Sequence, residues 1–72
     1  MIVKVIKLFE GREIVALYEC TNATYELQGS GLRLELFDGE NNAIGDYVFS
    51  KENKWHIYFM ENGRNADSIK IG

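Results

Sequence analysis

A chain of 72 residues has room for one domain, 1–72, and a domain this small buries only about 60% of its unfolded surface. Its 46% hydrophobic content argues against disorder, and a net charge of −3, with eleven acids scattered and no basic run, argues against a general nucleic-acid footprint. A single cysteine excludes an internal disulfide, and one cysteine with one histidine is too few for a structural zinc site. No cofactor or metal is expected, and self-association is the expected supplement to a small core.

The opening Met1-Ile2-Val3-Lys4-Val5-Ile6-Lys7 reads as a strand. Lysines interrupt it and no small-residue cleavage site follows, so a signal peptide is not expected. No apolar run reaches the roughly 20 residues of a transmembrane helix, so no membrane partner is expected. Asn22-Ala23-Thr24 spells a glycosylation sequon by chance in a chain read as cytoplasmic.

About seven short segments rich in β-branched and aromatic residues alternate with turn signals, which is the all-β pattern. The expected fold is a small antiparallel meander, closed as a barrel or folded as a two-layer sandwich. The first hairpin joins Ile2–Phe9 to Glu13–Cys20. A type II′ turn at Gly11-Arg12 sets Lys4 opposite Glu19 and Ile6 opposite Leu17. A turn one residue earlier, at Glu10-Gly11, would pair Lys4 with Leu17, so opposed charges favour the first register. Residues 2–9 also fit a helical period through Ile2, Val5, Ile6 and Phe9, which stays as an alternative.

The second hairpin turns at Gly29-Ser30 and opposes Glu26 to Arg33, Leu27 to Leu32 and Tyr25 to Leu34. The loop Asp38–Asn42 then aligns Leu36 with Ile44 and Leu32 with Val48. A turn centred on Glu52-Asn53 aligns Tyr47 with Tyr58 and Phe49 with His56, and Asn62-Gly63 brings Ile69 beside His56.

Added together, these registers collect Tyr25, Leu32, Leu34, Val48 and Ile57 on one face, with Asp46 as its misfit. The other face starts polar at Glu26, Arg33 and Glu35 and becomes apolar through Tyr47, Phe49, His56, Tyr58, Met60, Ile69 and Ile71. A half-buried sheet needs only one apolar face. The first hairpin is also apolar on both sides, with Val3, Val5, Phe9, Ile14, Ala16 and Tyr18 on one and Ile6, Leu8, Val15 and Leu17 on the other. One layer of cover does not use all of this, so a homodimer or protein partner is expected on the remainder.

The expected contact comprises Arg33, Tyr47, Phe49, His56, Tyr58 and Met60, residue types that protein interfaces favour. The reading is therefore a small non-enzymatic binding or regulatory module, inhibitor- or adaptor-like. The alternative is a single-strand nucleic-acid binder stacking bases on the same aromatics beside Arg33. A second alternative is a small enzyme or enzyme subunit using Cys20 or His56, although a strand cysteine is more often a small buried hydrophobe. The loop from Asp38 lacks the glycine and the glutamate of a calcium loop, with Ala43 and Phe49 at those positions.

Overall fold

Two turns take the left-handed conformation that reverses a strand with the correct twist. Glu10 and Gly11 have φ of 50° and 74°, and Asn62 and Gly63 have φ of 52° and 75°. Between such turns the chain, a computed structural model describing residues 1–72, forms seven strands. They are β1 (Ile2–Phe9), β2 (Arg12–Glu19), β3 (Asn22–Gln28), β4 (Gly31–Phe37), β5 (Ala43–Ser50), β6 (Lys54–Glu61) and β7 (Arg64–Ile71). All pairings are antiparallel, in one sheet ordered β2-β1-β6-β7 and a second ordered β3-β4-β5. Residues 2–9 are strand, not helix: β1 has a hydrogen-bonded neighbour on both sides. No helix is long and apolar enough to cross a membrane.

The first hairpin turns at Glu10-Gly11, so Lys4 faces Leu17, and Ile2 takes Glu19. This corrects the type II′ expectation. An exposed cross-strand charge pair contributes only about 0.2–1 kcal/mol, less than a turn whose geometry matches strand twist. The offset is even, so each side chain keeps its expected side. The second hairpin has the expected register, with Glu26 opposite Arg33 and Tyr25 opposite Leu34.

Two β-bulges correct the remaining registers. Between β4 and β5, Phe37 pairs with Ala43 as expected, but Ile44 is then extra and Leu36 pairs with Gly45. Between β6 and β7, Met60 pairs with Asn65, Ala66 is extra, and Phe59 pairs with Asp67. Each extra residue moves the rest of the strand by one, which transfers every later side chain to the opposite face. Tyr47 and Phe49 thereby join Leu34 and Leu32, while Ile69 and Ile71 join Ile57 and Trp55. Asp46 ceases to be a misfit. It lies opposite Glu35, where Arg33 donates two hydrogen bonds to it, at 3.0 Å from Nε and 2.7 Å from Nη2.

The expected β5–β6 pairing does not form. At Lys51 the chain leaves the three-stranded sheet: the Lys51 amide donates to Ser30 O at 2.9 Å, and Trp55 Nε1 donates to Ser50 O at 2.9 Å. β6 instead pairs with β1, Val3 opposite Phe59 and Val5 opposite Ile57. The first hairpin therefore extends the C-terminal hairpin sideways and does not cover it. A second corner lies between β2 and β3, where the Cys20 amide donates to Met1 O and the Thr21 amide to Phe37 O.

The sheets face each other across eight buried side chains. Val3, Val5, Ile57 and Phe59 come from one sheet, and Leu32, Leu34, Leu36 and Phe49 from the other. Aromatic pairs extend this core. Tyr18 meets Tyr47 at 4.7 Å, Phe49 meets Trp55 at 4.8 Å and Tyr25 stacks on Phe59 at 5.4 Å. This is a two-layer arrangement that buries the centre of one face of each sheet and leaves Phe9, Ile14 and Leu27 exposed at its margins.

Candidate contact face

Alternation sends the remaining residues of β1, β2, β6 and β7 outward from the four-stranded sheet. From β2 to β7 the rows across this outer face read Glu19–Ile2–Met60–Asn65, Leu17–Lys4–Tyr58–Ser68, Val15–Ile6–His56–Lys70 and Glu13–Leu8–Lys54. Its apolar members form a contiguous patch over β2, β1 and β6. Leu17 is 63% exposed, Val15 52%, Leu8 49% and Ile2 37%, while Ile6, Met60, Tyr58 and His56 are half-buried.

The polar groups of the face have an order. Acids stand at the two ends of β2, Glu13 and Glu19. Lysines stand at the centre of β1 and along β6 and β7, at Lys4, Lys54 and Lys70. Tyr58 Oη lies 2.8 Å from His56 Nδ1, with ring centroids 4.0 Å apart, and Lys4 Nζ sits 4.8 Å over the Tyr58 ring. Burial first, then Lys70 and Lys4, push the His56 pKa down and favour the neutral ring.

The six residues of the expected contact do not come together. His56, Tyr58 and Met60 share this outer face. Tyr47 and Phe49 point between the sheets, where Phe49 is buried and Tyr47 packs on Tyr18. Arg33 lies on the outside of the three-stranded sheet, held by Asp46 with Glu35 at 3.9 Å. That pair raises the Arg33 pKa and lowers the Asp46 pKa. The missed members, Val15, Leu17, Ile6, Leu8 and Ile2, come from the first hairpin. Its second apolar side was the available signal, but the pairing of β1 with β6 was not, and only that pairing puts them beside Tyr58.

Cys20 follows β2 and lines a cleft of about 330 Å³ with Met1, Ile2, Glu19, Thr21, Asp38 and Ile44. Burial pushes its thiol pKa up. The His56 ring is hydrogen-bonded to Tyr58 and not to Cys20. Asp38 is committed to its own loop, accepting from the Glu40 and Asn42 amides at 2.9 Å each, which lowers its pKa. No three His, Cys, Asp or Glu side chains converge to hold a metal. Comparison with protein-family models, curated proteins and solved structures finds no match.

Proposed function

We propose that the chain is a small non-enzymatic protein-binding module of the regulatory or adaptor kind, docking through the outer face of its four-stranded sheet and self-associating through it. The observation that carries this reading is the contiguous apolar patch from Leu17 to Tyr58, left over after each sheet has already spent one face on the core. Four strands at about 4.8 Å spacing, over seven residues or so, present roughly 400 Å² in projection. The apolar members fill part of that area, and a contiguous apolar patch rimmed by polar residues is the usual mark of an interaction surface. The free thiol of Cys20 suits the cytoplasm as its site of action.

Two substitutions test the face against the rest of the surface. Leu17→Glu places a charge in the patch, and Val48→Glu places one on the outside of the other sheet, where Val48 is 67% exposed. Sedimentation equilibrium should show association lost in the first and retained in the second. Association unaffected by Leu17→Glu would contradict the reading.

One observation favours a second reading. Lys4, Lys54 and Lys70 surround His56 and Tyr58, while Glu26 and Glu35 lie on the other sheet, so a single nucleic-acid strand would meet lysines beside two stacking rings. Phosphate contacts make such binding fall steeply with salt. Anisotropy of a labelled oligothymidylate, titrated with salt, separates the readings: the protein-binding module predicts no binding at physiological salt. Glu13 and Glu19 on the same face favour the protein partner.

A further inference from the structure

We infer that the occupant of this face is a second copy of the chain, related by a two-fold axis running along the strands, so that β2 of each copy lies over β7 of the other. The inference rests on the docking face proposed above and adds its occupant and orientation. Its basis is the placement of charge.

A two-fold axis between two facing sheets lies in the plane between them and has two simple directions. Across the strands, it keeps each strand over its own equivalent and exchanges the ends of the sheet. Glu13 would then sit over Glu19 of the second copy, and Glu19 over its Glu13. Like charges opposed in an apolar contact cost association. Along the strands, the axis keeps the rows and exchanges the edges. The acidic β2 edge then meets the lysine-bearing β6–β7 side, with Glu13 in the row of Lys54 and one row, about 7 Å along the strand, from Lys70 of the second copy, across the roughly 10 Å between facing sheets.

The rows then fix the other contacts, with Leu17 over Ser68 and Leu8 over Lys54 of the second copy. Ile6 comes over His56, Ile2 over Met60, and Lys4 over the Tyr58 ring, an arrangement each copy already makes internally at 4.8 Å. Val15 meets the aliphatic stem of Lys70. The roughly 30° crossing usual for aligned sheets leaves unchanged which edge meets which.

Charge reversal tests the orientation at positions whose side chains are exposed, so that the fold is retained. Dimer dissociation constants are measured at low salt for the natural chain, Glu13→Lys, Lys70→Glu and the two combined in one chain, with circular dichroism as the check on folding. Each single reversal should weaken association about tenfold, and the combination should return to within about threefold of the natural chain. Tighter association of Glu13→Lys would overturn the orientation, because only the strand-on-own-strand arrangement gains from that change. Losses that simply multiply in the combined variant would overturn it too. Either result leaves the docking face standing. A natural chain that stays monomeric removes the face and the orientation together.

Discussion

His56 is the only side chain on the outer face whose charge changes between about pH 5 and 8. The charged and titratable groups that face it are Lys4 on β1, Lys54 and Tyr58 on β6, and Lys70 on β7. Burial and the lysines lower its pKa from 6.5, so the folded chain prefers the neutral ring. A histidine whose pKa falls on folding contributes stability that is fully present above the unfolded value and is lost as pH drops through the folded one. Folding stability should therefore fall as pH drops below about 6.5, and His56→Gln should flatten that profile in urea unfolding. A natural chain whose stability rises on going from pH 7.5 to about pH 5 relative to His56→Gln would contradict this assignment. Legibility also divides residue by residue. His56, Tyr58 and Met60 belong to one surface, as their alternation along β6 says. Phe49 lies in the core because Ile44 adds one residue upstream of it, and alternation within β5 does not reveal an insertion opposite β4.

At the scale of the strand pair, glycine separates turn geometry from packing. At Gly11 φ is 74° and nothing lies within 4 Å of where a Cβ would stand, so Gly11→Ala meets only the left-handed backbone penalty, about 1–2 kcal/mol. At Gly31 a Cβ would run into the Phe49 carbonyl oxygen, a backbone atom of the neighbouring strand that cannot move without opening β4 from β5. Urea unfolding should therefore rank Gly31→Ala as clearly the more destabilising of the two. Equal losses would mean that β4 and β5 approach each other less closely than described. Hairpin positions were legible from turn residues such as Gly29-Ser30 and Asn62-Gly63, whose φ or hydrogen-bonding demands are local. The first register was not, because an opposed lysine and glutamate favour one turn while the twist of the strands favours the other. Both bulged registers were correct at the turn and wrong beyond the bulge, since a bulge depends on how the two sheets stack.

For the whole molecule, the all-β class and the excess of apolar surface followed from composition and alternation. The corner at Lys51 and the pairing of β1 with β6 did not. They are contacts between distant parts of the chain, selected because they let Val3, Val5, Ile57 and Phe59 face Leu32, Leu34, Leu36 and Phe49. Once those eight side chains are paired, a contiguous part of the surplus lies on the outside of the four-stranded sheet, while Phe9, Ile14, Leu27 and Val48 stay exposed elsewhere. The edges of that sheet differ in charge, acidic on β2 and basic toward β7, which gives a flat apolar surface an orientation. In the proposed dimer this surface is covered by a second chain. Light scattering on the natural protein at neutral pH measures it directly. The proposed dimer has a mass of twice 8.3 kDa. A mass of 8.3 kDa at the highest soluble concentration would contradict it.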